Sequence, residues 1–175
     1  MSSRKPTRQS QTVTPAGESC APVIDGVKEF RPVTHEDERG SLCEIYAQAW
    51  NFDDIPLVHA YLVTVRPGMV KGWAVHEKQV DRYFFVSGAS KLVLYDDRRE
   101  SPTHGLVTEK TYSDINRALV SVPPGVFHAV ECLGERESVL FVIPSEPYHY
   151  ELPADRTTPE EKDLIPYPVG PKRGF

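Results

Sequence analysis

The 175-residue sequence has little of what would commit it to several common classes of protein. Its three cysteines, Cys20, Cys43 and Cys132, are few and odd in number. A disulfide scaffold is therefore not expected, and the residues read as ordinary tail or buried thiols in a reducing compartment. No stretch reaches the roughly 18 consecutive apolar residues of a spanning helix. Met1 to Ala21 also lacks the apolar run of a secretory signal. A soluble, cytoplasmic protein is expected. Positive charge is in deficit, with 20 Lys and Arg against 25 Asp and Glu and a net charge of −5. That balance argues against a nucleic-acid groove, which needs a clustered basic surface, but leaves room for a local anion site.

What the sequence does have is proline, 16 residues of it, and an ordinary hydrophobic fraction of 39%. The length suits one domain with loose ends, and so much proline favours turns and strand edges over long helices. From Val23 onward, short apolar stretches alternate with turn signals every ten residues or so, the spacing of an all-β sandwich or barrel. Strands are expected at Val27 to Val33, Leu42 to Tyr46, His59 to Val65, Arg82 to Val86, Lys91 to Tyr95, Ala118 to Val122, Phe127 to Cys132 and Ser138 to Ile143. Ser87-Gly88 makes Arg82 to Val86 and Lys91 to Tyr95 a candidate hairpin. Thr158, Pro159 and Glu161 are arranged to cap a short C-terminal helix. The expected organisation is a disordered tail over residues 1–22, a domain over 23–167 and a C-terminal tail over 168–175, with no internal repeat.

Two segments carry chemistry. One is Lys71-Gly72-Trp73-Ala74-Val75-His76-Glu77-Lys78-Gln79-Val80-Asp81, closing at Ser87-Gly88; the other is Pro123-Pro124-Gly125-Val126-Phe127-His128. They resemble the two cupin motifs, which implies a double-stranded β-helix, or jelly-roll barrel, with an imidazole from each motif pointing inside. Within the cupins, the segment Ile24 to Tyr167 resembles the dTDP-4-dehydrorhamnose 3,5-epimerase family. Asp37-Glu38-Arg39-Gly40 with Glu44 is similar to the segment that family uses to hold the nucleotide diphosphate. Lys71-Gly72 stands where the family has Arg-Gly, Asp96 to Thr103 resembles a strand-end signature, and His128 matches the pocket histidine.

The departures from that pattern are specific. Ala74 stands where the family has its general base, Phe141 is aligned with the tyrosine acid, and Asp81 replaces a supporting lysine. Epimerisation beside a carbonyl requires a base, a group that stabilises the enolate, and an acid on the other face. His76, His128 and Tyr83 are the residues able to take these roles, since alternate strand residues share a face. The resemblance implies Arg39, Glu44, Lys71 and Trp73 as substrate-binding residues, with Trp73, Tyr83 and Tyr95 as candidate stacking surfaces. It implies a nucleotide-sugar ligand, no cofactor, neither nucleic acid nor membrane as partner, and a homodimer in which N-terminal strands cross to the second copy.

Two alternatives stay open. One is a protein that binds the nucleotide sugar without turnover. The other is a metal-dependent small-molecule cupin, an oxygenase or isomerase, in which His76, Asp81 and His128 hold a divalent ion such as iron or zinc. His35, His59, His104 and His149 read as loop or packing residues, and Arg98, Arg99 and Glu100 as a solvated loop.

Overall fold

The computed structural model describes residues 11–148, 156–157 and 165–168. It is all-β. In chain order the strands are β1 (Lys28–Phe30), β2 (Thr34–Asp37), β3 (Gly40–Cys43), β4 (Tyr61–Val65), β5 (Val70–His76), β6 (Asp81–Ser87), β7 (Ala89–Asp96), β8 (Val107–Ser113), β9 (Leu119–Val122), β10 (Val126–Cys132), β11 (Ser138–Pro144) and β12 (Arg156–Thr157). A single 3₁₀ turn, Gln48–Trp50, interrupts them among the described residues. Two five-stranded antiparallel sheets, ordered β1-β9-β6-β11-β4 and β12-β5-β10-β7-β8, face each other as a jelly roll, and β2 and β3 form a separate two-stranded hairpin.

The alternation legible in the sequence sorts side chains between two apolar layers. Leu92 and Leu94 of β7 and Val126 and Val130 of β10 point between the sheets, where they meet Tyr83 and Phe85 of β6 and Leu140 and Val142 of β11. Their neighbours Val93, Tyr95, Phe127 and Ala129 face the other way, into a second cluster with Trp73 and Ile165. β7 and β10, inside their sheet, are thus buried on both faces and carry nearly continuous apolar runs.

The expected hairpin of Arg82 to Val86 with Lys91 to Tyr95 does not form. β6 pairs with β9 and β11, whereas β7 pairs with β8 and β10. Between them the chain crosses from one sheet to the other at Gly88, whose φ is +81°. A Cβ there would come within 2.7 Å of the Glu137 carbonyl oxygen, so only glycine permits this crossing. β5 and β8 were not among the expected strands: the first is hidden inside the motif, and the second has the polar sequence VTEKTYS. The expected C-terminal helix lies outside the described residues.

Two arginines hold loops to the barrel. Arg82 is completely buried on the outer face of β6. It donates to the carbonyl oxygens of Ile143, Ile55 and Pro56 and to Asp53 Oδ1, at 3.0 to 3.2 Å. Burial of so polar a group is tolerable because its donors are satisfied and its charge is paired. Arg98, expected in solvent, is instead half-buried against Asp96 at 2.8 Å, and Asp96 also accepts from Ser101 and Thr103 at 2.6 Å each. Arg99 and Glu100 are exposed as expected.

Burial pushes the Asp96 carboxyl up, but Arg98, Ser101 and Thr103 outweigh it and hold it well below the usual carboxylate range. A depressed folded-state pKa contributes stability above the unfolded value of ~3.9, and that stability is lost as pH falls through the folded value. Asp96→Asn is therefore expected to destabilise the protein by about 2 kcal/mol near neutral pH. Urea denaturation of both proteins should show this gap constant between about pH 6 and 8 and closing in acid.

Candidate active site

The open end of the barrel holds a cavity of about 390 Å³, within the size range of small-molecule sites. Its floor is built from both sheets. β5 contributes Gly72, Ala74 and His76; β6 contributes Asp81 and Tyr83; β10 contributes His128 and Val130. His59, Tyr61, Lys71, Gln79, Glu146 and Tyr148 line the remainder with Val63, Leu140 and Pro144.

The two motifs meet through backbone pairing. β5 and β10 are antiparallel neighbours with His128 opposite Ala74, and a register irregularity follows between His128 and Val130. At Gly72, with φ +121°, a Cβ would lie 2.6 Å from both the His128 carbonyl oxygen and the Ala129 Cα. The strands can approach this closely only because the residue is glycine. His76 and His128 consequently stack with ring centroids 5.6 Å apart and planes 14° from parallel.

A single carboxylate serves both rings. Asp81 Oδ2 lies 3.4 Å from His76 Nε2 and 3.6 Å from His128 Nε2, and it accepts a hydrogen bond from the Tyr83 hydroxyl at 2.7 Å. The Gln79 amide donates to Asp81 Oδ1 at 2.7 Å and lies 3.4 Å from His76 Nε2. Burial, at 2% exposure, pushes the Asp81 carboxyl up, but His76, His128 and Tyr83 prevail and bring it down to about 2. The carboxylate is thus held ionised among the imidazoles, the amide and the hydroxyl of the cavity floor.

The structure therefore gathers His76, Asp81, Tyr83, His128 and Lys71 at one cavity and leaves the other expected site residues apart from it. Trp73, one residue from Gly72, faces the outer layer and packs edge-on against Tyr167 at 6.5 Å. Tyr95 belongs to that same layer. Glu44 is exposed beyond the end of β3. Arg39 caps the β2–β3 turn, 83% exposed, and pairs with Asp37. On β11 it is Leu140, not Phe141, that lines the cavity, so that strand presents no hydroxyl there.

Sequence reasoning missed His59, which was expected to be a packing residue but stands at the cavity with Tyr61, their rings 5.5 Å apart. It also missed Gln79. The available signal was the spacing of Gln79 two residues before Asp81, which lets both side chains turn to the same side.

A jelly roll with a histidine from each of two paired strands at its open end defines the class as a cupin barrel. The sequence model of the dTDP-4-dehydrorhamnose 3,5-epimerase family matches residues 22–159, and the chain belongs to that family. It is 31% identical over 124 residues to the probable low-salt glycan biosynthesis epimerase of Haloferax volcanii, covering 70% of this chain and 80% of that one. It is likewise 31% identical over 147 residues to a spore coat polysaccharide biosynthesis protein of Bacillus subtilis, covering 82% and 94%. The fold is shared with the crystal structure of a dTDP sugar isomerase from Desulfovibrio desulfuricans G20, with a TM-score of 0.74, 22% identity, and 83% and 91% of the two chains covered.

Tyr83→Phe should retain the fold while removing the hydrogen bond to Asp81. The expected loss of stability is about 1.5 to 3 kcal/mol, the range for a hydrogen bond to a charged group, read from the urea midpoint.

Proposed function

We propose that the cavity receives a dTDP-linked 4-keto-6-deoxyhexose and that the protein serves deoxysugar or polysaccharide biosynthesis as an epimerase whose proton-transfer groups are His76 and His128. The observation that carries this reading is the pair of stacked, buried imidazoles over one carboxylate at the floor of a sugar-sized cavity. Family membership supports the ligand class, and the names of the two curated relatives support the biosynthetic setting.

The two imidazoles, both on the cavity floor, support the proton-removal half of that reaction. Removal of a proton beside a carbonyl leaves an enolate, and return of the proton from the opposite side inverts the centre. His128 Nδ1 lies 3.2 Å from the Val126 carbonyl oxygen, which can only accept, so Nδ1 carries the hydrogen. Nε2 then faces the floor of the cavity as the basic atom. Ala74, opposite His128, leaves the space that the family's base would fill. Tyr83 brings to this floor a hydroxyl bonded to Asp81, and Lys71 at the wall supplies positive charge for a phosphate.

In deuterated water, incubation with the keto sugar nucleotide is expected to exchange the proton at C3 or C5, followed by NMR or mass spectrometry. His128→Ala should slow exchange about 10²- to 10⁴-fold. Tight dTDP binding without exchange would identify a binding protein that keeps the pocket and not the reaction; absence of both would overturn the proposal.

The same reading extends to a homodimer. Among the described residues of the single chain, β4 ends its sheet with Leu62 62% exposed beside the exposed Leu57 and Val58, and the β2–β3 hairpin pairs with no other strand. An isolated two-stranded hairpin is marginal in water, and an open apolar edge invites a second chain. A partner's hairpin laid across this edge would carry its Arg39 and Glu44 toward the cavity. Light scattering should give twice the chain mass of 19.7 kDa. Arg39→Ala should weaken dTDP binding roughly tenfold or more, the value of a charged hydrogen bond. A monomer with unchanged affinity would contradict this arrangement.

A further inference from the structure

We infer that His76, Asp81 and His128 form a binding site for one divalent transition-metal ion. Each offers a donor atom, all three donors lie within 4.8 Å of one another, and all three residues are buried at the cavity floor. The proposal concerns the same floor as the epimerase reading but does not depend on it.

The distances decide between two accounts of the cluster. If the imidazoles were held to Asp81 only as charge-assisted hydrogen-bond donors, the nitrogen–oxygen separations should be about 2.7 to 2.9 Å. Metal bonds of about 2.0 to 2.2 Å with near-tetrahedral angles place neighbouring donors roughly 3.4 Å apart. The separations found are 3.4 and 3.6 Å.

The supporting contacts point the same way. The Val126 carbonyl holds the hydrogen of His128 on Nδ1, which directs the Nε2 lone pair at Asp81. Both Asp81 oxygens are fixed from behind, Oδ1 by Gln79 and Oδ2 by Tyr83, each at 2.7 Å. Ligands oriented by a backbone carbonyl and by outer hydrogen bonds are the usual arrangement around bound metals.

Two imidazoles and one carboxylate suit iron(II), cobalt(II), zinc or nickel better than magnesium or calcium, which prefer all-oxygen shells. The three ligands come from the floor alone, so the remaining positions face the cavity. A bound ion would supply a Lewis acid to an oxygen placed there, and with it bound His76 and His128 are ligands rather than proton-transfer groups.

The test uses the full chain stripped with chelator, desalted and titrated with cobalt(II), followed by visible absorption and calorimetry. One equivalent should bind with an altered d–d spectrum, and zinc should displace it. Asp81→Asn and His128→Ala should each lose about 100-fold in affinity, Tyr83→Phe about tenfold, and His104→Ala, an exposed histidine far in sequence from the cluster, nothing. Circular dichroism of each stripped variant checks that it has folded. If a ligand variant does not fold, the native protein still decides, because a cobalt spectrum unchanged by adding protein overturns the inference. Equal binding by the native protein and folded ligand variants also overturns it. Calorimetry with dTDP on the same samples separates the two proposals: nucleotide binding without metal sinks only this one, and metal binding without nucleotide sinks only the epimerase reading.

Discussion

Gly72 lies so close to β10 that any side chain there would meet the backbone of His128 and Ala129. That close approach of two strands is the constraint on which the site depends. It sets β5 against β10 with Ala74 opposite His128, and hence brings one histidine from each motif into ring contact. Without it, the two imidazoles would belong to separate ends of a long crossover. Because paired strands share a rigid hydrogen-bonded ladder, the separation of His76 and His128 is held by backbone geometry rather than by flexible side chains.

Asp81 is the electrostatic counterpart of that constraint. It enters from the opposite sheet, so the cluster joins β5 and β10 to β6 across the barrel interior. One residue on, Arg82 turns to the outer face of β6 and anchors the 53–56 loop. A buried anion and a buried cation thus stand back to back on one strand, each satisfied by its own set of partners. Burial of both is compatible with stability because neither is left unpaired. Aromatic packing of Phe30 on Trp50 at 4.4 Å, with Arg82 over the Tyr46 ring at 5.3 Å, continues this outer layer.

Much of the fold was legible from period-two alternation and turn signals, because burial between two sheets imposes that alternation directly. Leu92 and Leu94 against Val93 and Tyr95 are the clearest instance. The signal fails where neither face is differentiated, as in the polar edge strand β8, and where a strand carries a functional sequence, as in β5. It also cannot specify pairing. Ser87-Gly88 reads as a hairpin turn, yet its glycine moves the chain between sheets, since pairing is set by which edges are open and not by the turn alone.

By itself, the sequence determined the all-β class and the two motifs, and it singled out His76, Asp81 and His128 as candidates, because these follow from residue type and local spacing. His76 and Asp81 are five apart along the chain, and their meeting could be expected. Tertiary structure alone decided which residues share the cavity. It turned Trp73 outward, left Arg39 and Glu44 out of the cavity lining, brought His59 to the wall, and gave Asp81 a place between two imidazoles. The physical reason is that a strand's side chains are assigned to faces by register. A bulge such as the one between His128 and Val130 changes that register in a way no local pattern reveals.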